Sequence, residues 1–166
     1  AYANPFVDMT NIPAATLAAK LAELAPGDLE HVAFSCGGST AIDTSFRLIH
    51  CYQNCRGKHD KKHMIARVNS YHGSTYAAMS IGGKPGDHPL EFDYISDTIH
   101  HISSPNFYRA EPGLREAVFL ADILAELAHT ILEFGPDNLV AFFSDPLLLS
   151  ARVTTPLARP PLPRFS

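Results

Sequence analysis

The sequence lacks several features that would assign it at once to a large class of proteins. Its 166 residues carry a net charge of -4 with a pI near 6.1, so we expect no general attraction to nucleic acid or to acidic membranes. No apolar run approaches the roughly 20 residues that span a bilayer, and the first residues lack a basic segment followed by an apolar one. These absences favour a cytoplasmic protein that binds neither nucleic acid nor membrane.

Cysteine is scarce as well. The chain has three, Cys36, Cys51 and Cys55, an odd number without the spacing of a secreted disulfide-rich scaffold. We therefore expect no disulfide framework. With 46% hydrophobic and 18% charged residues, the chain is long enough to form one domain around one core.

Three common catalytic and nucleotide-binding signatures are missing. The chain contains neither the three-glycine dinucleotide fingerprint nor the Gly-Lys-Ser/Thr of a Walker loop. It also lacks the Gly-x-Ser-x-Gly elbow of many serine hydrolases. Neither a nucleotide site nor a hydrolase of that type is predicted.

One stretch nevertheless predicts a strand, a tight turn and a helix in succession. An apolar run over residues 31–36 ends at Gly37 and Gly38, and a helical pattern with Ile42 and Phe46 on one face follows. Because the first N–H groups of a helix are unpaired, we expect those of residues 39–41 to point outward. Such a turn can bind a phosphate, although an ordinary loop with a helix cap has the same composition.

The rest of the chain alternates helical patterns with apolar runs. We expect helices over residues 13–24, 40–54 and 115–134, a short helix ending near residue 79, and strands over residues 63–68, 98–102 and 139–143. The last run is continuous and apolar, which predicts a strand covered on both faces. The alternation predicts an α/β fold with a mostly parallel sheet, whose ligands lie beyond the carboxyl ends of the strands.

Three motifs in this order resemble the class III aminotransferases. They are FSCGGSTAIDT at residues 34–44, YHGST at 71–75, and GPDN at 135–138 leading into FFSDP at 142–146. The resemblance covers most of the chain. It implies a partial large domain of fold type I over residues 1–146, a mostly parallel sheet flanked by helices. The resemblance decays beyond that point, and the prolines there predict an irregular tail over residues 147–166.

The resemblance implies a site for pyridoxal 5'-phosphate. In the family, a Gly-Gly-Ser turn binds the cofactor phosphate and a Tyr-His-Gly segment places an aromatic ring over the pyridine. The positions that match the phosphate-binding turn are Gly37, Gly38 and Ser39, with Thr40 alongside. The position that matches the stacking ring is Tyr71, with His72 close by. Asp145 stands where the family has a glutamate before proline. The alternative for Tyr71 is an aromatic residue in a surface turn.

The resemblance also implies substrates for the family's reaction and shows which catalytic segments of the family have no match in this chain. It implies an aminotransferase that takes its amino group from an amine or amino acid, passes it to a keto acid, and acts as a homo-oligomer. The family's later segments, which carry the Schiff-base lysine and the aspartate that pairs with the pyridinium nitrogen, have no match here. None of the five lysines matches the family's lysine motif: Lys20, Lys58, Lys61, Lys62 and Lys84. We expect a truncated, frame-shifted or deliberately shortened chain that is inactive alone.

A cysteine or serine hydrolase is one alternative. Cys36 precedes a predicted helix N-terminus, which can lower a thiol pKa, and His72 lies at a neighbouring strand end. No third orienting residue is identifiable from the sequence, and a buried, inert thiol is the simpler expectation. His100 and His101, being adjacent on a strand, should point to opposite faces and share no site.

A small zinc-binding module is the other alternative. Cys51, Cys55, His59 and His63 recur every fourth residue and are zinc-ligand types. On a continuous helix these side chains would lie near one face. Gly57 and the charges around it, however, predict that the helix ends before His59, which makes the spacing a coincidence.

Overall fold

The computed structural model describes residues 10–145 of the chain. The described residues fall into two compact units, 10–34 and 35–145. The described part of the first unit contains helix α1 (Ile12–Leu24), which begins as predicted. Asn11 precedes it and accepts the N–H of Ala14 at 2.9 Å, so one unpaired donor of the first turn is satisfied.

The strand predicted over residues 31–36 is wrong. These residues have no regular secondary structure. A strand requires a partner for its backbone N–H and C=O groups, and no segment between residues 10 and 145 pairs with this one. An apolar, branched composition predicts suitability for a sheet, but the partner decides whether the strand forms.

The second unit is built on a three-stranded parallel sheet. Its strands are β1 (His63–Arg67), β2 (Ile99–Ile102) and β3 (Leu139–Phe142), in the spatial order β2-β1-β3. Both pairings of β1 are parallel. The predicted α/β class and parallel sheet are therefore confirmed.

Helices flank and connect these strands. They are α2 (Gly38–Cys55), α3 (Tyr76–Ile81) between β1 and β2, and α4 (Glu116–Phe134) between β2 and β3, with two short 3-10 helices at Pro85–Asp87 and Phe107–Arg109. The helices predicted from hydrophobic periodicity are confirmed with small shifts of their ends. The core is formed by Ala66, Ile81 and Ile99, so it lies between the sheet and α3.

The expectation that the last strand is covered on both faces is wrong. The residues of β3 are only partly buried, and Phe142 is 48% exposed; among residues 10–145, β3 also lies at an edge of the sheet. The sequence of α4 is rich in apolar residues, yet none of its residues is buried within the described part of the chain. Sequence hydrophobicity predicts that a surface will be covered, but not whether the covering element lies within this chain.

The arrangement of the sheet decides where polar side chains meet. Because β1 and β3 are parallel neighbours, the segments after their carboxyl ends lie at the same edge of the sheet. Tyr71 and His72 follow β1, and Asp145 follows β3. No helix within residues 10–145 is long and apolar enough to cross a membrane. The predicted Pro-rich tail, residues 147–166, lies outside the described residues.

Candidate functional site

The turn before α2 is open on its outer side. Gly37 is extended, with φ of 177°, and a Cβ added to Gly37 or Gly38 would meet no heavy atom within 4 Å. The N–H of Ala41 donates to the carbonyl of Gly37 at 2.9 Å, so the expectation that it points outward unpaired is wrong. The earlier N–H groups at residues 38–40 come before this first helical bond and lie at the positive end of an 18-residue helix.

The side chain of Thr40 forms a hydrogen bond within this turn. Its Oγ1 donates to the carbonyl of Gly37 at 2.8 Å and lies 3.5 Å from the Sγ of Cys36. The hydroxyl hydrogen of Thr40 is therefore engaged within the turn. Thr40 therefore stabilises the conformation of the turn.

Ser39 joins the start of α2 to the loop after β1. Its Oγ accepts the N–H of Ser74 at 3.1 Å, and its carbonyl accepts the Oγ1–H of Thr75 at 3.2 Å. Gly73, with φ of +141°, lies so close that an added Cβ would be 2.7 Å from the Cα of Ser39. Only glycine fits there, because both the backbone conformation and the contact exclude a side chain.

Tyr71 lines a groove beside this junction. Its side chain is 49% exposed, and the groove has a volume of about 280 Å³. Other residues that line it are Ser74, Lys84, His88 and Phe92. The Nζ of Lys84 lies 3.2 Å from a carboxylate oxygen of Asp87, so the one lysine that lines this groove is paired with an acid.

His72 is almost fully buried next to Tyr71. Its side chain is 6% exposed, its Nδ1 lies 3.7 Å from Oδ1 of Asp145, and its ring meets the ring of Phe143 edge-on at 5.9 Å. Burial lowers the pKa of His72; the carboxylate of Asp145 opposes this shift, and the positive charges of Arg67 and His101 add to it. The imidazole is therefore neutral at pH 7. Its Nε2 and Oδ2 of Asp145 are buried with no hydrogen-bond partner among the described residues.

Sequence reasoning missed Arg67 as a member of this site. Its guanidinium donates to the backbone carbonyl of Asp145, which ties the end of β1 to the end of β3. Burial lowers the pKa of Arg67, and the Asp145 carboxylate opposes that shift. The available signal was a charged residue at the end of an otherwise apolar strand, directly before a turn.

The structure does not support a hydrolase built on Cys36 and His72. Cys36 contacts Thr40, whereas His72 lies against Asp145 and Phe143. The thiol is exposed, so the expectation of a buried thiol is wrong. An orienting acid for His72, which the sequence did not identify, is present as Asp145, but no contact joins the imidazole to the thiol within the described chain.

The zinc alternative also fails in the described residues. No three His, Cys, Asp or Glu side chains between residues 10 and 145 are grouped as metal ligands. Cys51 and Cys55 are exposed on α2, which ends before His59 as predicted. His63 instead lies with its Nδ1 2.8 Å from Nε2 of His100.

The two adjacent histidines of β2 lie on opposite faces of the sheet, as predicted. His100 stacks on Phe134 of α4 with ring centroids 3.6 Å apart. His101 places its Nε2 3.0 Å from the carbonyl of Ile81 at the end of α3. The two rings belong to different surroundings and share no site.

The site at the sheet edge suits a ligand that is anionic at one end and flat at the other. Free N–H groups, an open glycine turn and the Ser39 hydroxyl lie at the start of α2. The half-exposed ring of Tyr71 lies in the groove that Ser74 also lines, and Ser74 contacts Ser39. The residues present therefore fit a phosphorylated aromatic cofactor.

Comparisons with known proteins show which family the chain resembles. A family model described as aminotransferase class-III matches residues 4–147. The diaminobutyrate–2-oxoglutarate transaminase of Halomonas elongata is 32% identical over 93% of this chain and 34% of its own length. The putrescine–pyruvate aminotransferase of Pseudomonas aeruginosa is 34% identical over 92% of this chain and 33% of its own length.

Solved structures show the same similarity in three dimensions. The omega transaminase of Pseudomonas jessenii in complex with PMP superposes with a TM-score of 0.87, with 36% identity over 94% of this chain and 34% of that protein. A transaminase solved with L-alanine has a TM-score of 0.88 and 33% identity over 95% of this chain and 37% of its own. The chain spans about a third of the length of the relatives that it matches.

Proposed function

The chain belongs to the aminotransferase class-III family, and from this premise we propose that it forms part of the pyridoxal-phosphate site of an aminotransferase. The observation that carries the proposal is the junction at Ser39, where the open turn before α2 meets the loop that carries Tyr71. The family uses this cofactor, and the residues at the junction suit its phosphate and its ring.

The phosphate is proposed to lie at the start of α2. Ser39 Oγ accepts the N–H of Ser74, which leaves the hydroxyl hydrogen of Ser39 available to a phosphate oxygen. Gly37 and Gly38 have no Cβ to obstruct a close approach, and the helix end adds favourable electrostatics. Thr40 stabilises the turn through its bond to the Gly37 carbonyl.

The cofactor ring is proposed to stack on Tyr71, and His72 with Asp145 is proposed to support the loop that carries Tyr71. Tyr71 has the exposed face that stacking requires, and the neutral, buried His72 sets the path of the loop. Pyridoxal phosphate, when bound, supplies the electrophilic carbon and electron-withdrawing ring that amino-group transfer requires. The residues of this chain bind the phosphate, orient the ring and cover one of its faces.

The reaction and partners follow from the family as proposals. We expect an amine or amino acid as donor and a keto acid as acceptor, and we expect self-association into a homo-oligomer. The similar proteins named above are transaminases that act with 2-oxoglutarate or pyruvate according to their names. The chain spans about a third of such a protein, and the proposal for this chain is cofactor binding.

Binding is best tested with pyridoxamine 5'-phosphate, because it has no aldehyde to react with surface lysines such as Lys84. Calorimetry of the full chain would compare it with pyridoxamine, which lacks the phosphate. Ser39→Ala removes one hydrogen bond to a charged group, worth about 1.5–3 kcal/mol, so its affinity should fall by about tenfold or more. Tyr71→Ala should weaken binding by removing the stacking face.

Two matched controls separate these effects from general damage. Ser45→Ala removes a hydroxyl from the same helix, one that donates to the Ala41 carbonyl at 2.9 Å. Tyr108→Ala removes a tyrosine that is 94% exposed. Both should bind like the unmodified chain. Equal affinity for the phosphorylated and unphosphorylated ligands, or unchanged binding by Ser39→Ala, would contradict the proposal.

A further inference from the structure

We infer that Arg67 is a positioning residue for the Tyr71 ring, an inference that rests on the function proposed above. Tyr71 is 49% exposed, so its ring has fewer packing contacts to hold its orientation than a buried ring would have. Its two neighbours in the chain are buried instead: Ser70 is 1% exposed, and the side chain of His72 is 6% exposed. Arg67 contacts Ser70 directly and reaches His72 through Asp145.

The first contact is made by the backbone of Arg67. Its carbonyl accepts the Oγ–H of Ser70 at 2.6 Å and the N–H of Ser70 at 3.2 Å. Gly83 packs so closely on this carbonyl that an added Cβ would overlap it, and the Gly83 N–H donates to the Ser70 carbonyl at 3.1 Å. Ser70 is thereby fixed on one side of Tyr71.

The second contact is made by the side chain of Arg67. The guanidinium crosses from the end of β1 to the end of β3 and donates to the backbone carbonyl of Asp145. This bond places the Asp145 carboxylate 3.7 Å from Nδ1 of His72, whose ring also meets Phe143. His72 is thereby fixed on the other side of Tyr71.

The charge of this cluster argues for a positional role. A partly buried guanidinium loses hydration, and a well-packed apolar residue in such a place often gives equal or greater stability. The ionisable groups that face His72 are Arg67 and Asp145 from the two strand ends and His101 from β2. An apolar side chain at position 67 could not align the two strand ends, because it has no directional contact to make. The Arg67 guanidinium can, because it donates a hydrogen bond to the Asp145 carbonyl.

Binding of pyridoxamine 5'-phosphate tests the coupling between Arg67 and Tyr71. Arg67→Met retains the apolar stem and removes the donor, and Arg67→Lys restores a cation. We expect Arg67→Met to weaken binding by about tenfold, within the range for residues of one hydrogen-bonded network, and Arg67→Lys to recover part of the loss. In the Tyr71→Ala background, Arg67→Met should cause little further loss. Arg109→Met, at an exposed arginine, is the matched control.

Nuclear magnetic resonance of the ligand-free chain provides a second readout. With labelled histidine and tyrosine, Arg67→Met should raise the pKa of His72, because the positive charge of Arg67 lowers it, and should shift or broaden the ring signals of Tyr71. Additive losses in the double variant, or unchanged Tyr71 signals in Arg67→Met, would overturn the inference. Absence of ligand binding by the unmodified chain would overturn the proposed function, while the ligand-free signals would still decide the role of Arg67.

Discussion

Replacing Gly73 with alanine should separate the two parts of the candidate site. At this position the backbone has φ of +141°, and a new Cβ would lie 2.5 Å from Oγ and 2.7 Å from Cα of Ser39. The Oγ atom can rotate away, but the Cα atom belongs to the backbone of α2. The loop after β1 must therefore move from the helix, or the helix must move from the loop.

The loss in the free energy of unfolding caused by Gly73→Ala follows from these contacts. A non-glycine residue in such a conformation costs about 1–3 kcal/mol. Moving the loop also loses the hydrogen bonds that Ser74 and Thr75 make to Ser39, each worth about 0.5–1.5 kcal/mol. Gly73→Ala should therefore lower the free energy of unfolding by about 2–6 kcal/mol. For a chain of this size, a loss of that amount lowers the melting temperature by about 4 °C or more.

Urea denaturation followed by circular dichroism measures this loss. Gly86→Ala is the matched control, because a Cβ there meets no heavy atom within 4 Å and the backbone has no left-handed φ. It should lie within about 0.5 kcal/mol of the unmodified chain. In a Ser39→Gly background, Gly73→Ala should cost less, since part of the overlap is gone. A Gly73→Ala chain as stable as the Gly86→Ala control would refute the reasoning.

Two further predictions concern pH and a buried donor. Burial, and the nearby charge of His63, lower the pKa of His100 below its ordinary 6.5. The unfolded chain then binds more protons between that lowered pKa and 6.5, so stability should fall as pH falls through this window. His100→Gln should flatten the dependence in urea titrations from pH 7 to pH 5, while His129→Gln, at a side chain 80% exposed, should not. Asp43 Oδ1 accepts the N–H of the fully buried Ala78 at 2.9 Å, so Asp43→Ala should cost about 1–3 kcal/mol by urea denaturation. A loss below about 0.5 kcal/mol would show that water replaces the carboxylate.

The contact between His63 and His100 explains why the stability of the chain should depend on the protonation of His100. The ring nitrogens of His63 and His100 are 2.8 Å apart, and the ring centroids are 5.0 Å apart with nearly parallel planes. The rings therefore lie almost edge to edge, so their nearest nitrogens face each other and share one hydrogen. Protonation of His100 would replace the shared hydrogen with two N–H groups that face each other, and burial makes the charged form of His100 more costly still.

The candidate site was predicted in part. The motifs around Gly37 and Tyr71 are short and contiguous, so their residues could be named from the sequence alone. Their roles toward the cofactor stay predictions that the binding experiments test. Thr40 illustrates the limit of motif reasoning, because its hydroxyl is already engaged with the Gly37 carbonyl.

Arg67 and Gly73 mark what motif reasoning could not reach. Arg67 contacts Asp145 across 78 positions of sequence, and Gly73 contacts Ser39 across 34. Neither contact leaves a local pattern, since each depends on which strands and helices become neighbours. The burial of His72, and with it the neutral state of the imidazole, follows from the same packing.

By itself, the sequence determined the four helices and the three strands that form, the parallel α/β class and the position of the glycine turn, because periodicity and turn composition act over a few neighbouring residues. The tertiary structure alone decided that residues 31–36 form no strand, that β3 is only partly buried, and that Arg67, His72 and Asp145 meet. The physical reason is that strand pairing, burial and charge interactions depend on partners that are distant in the chain.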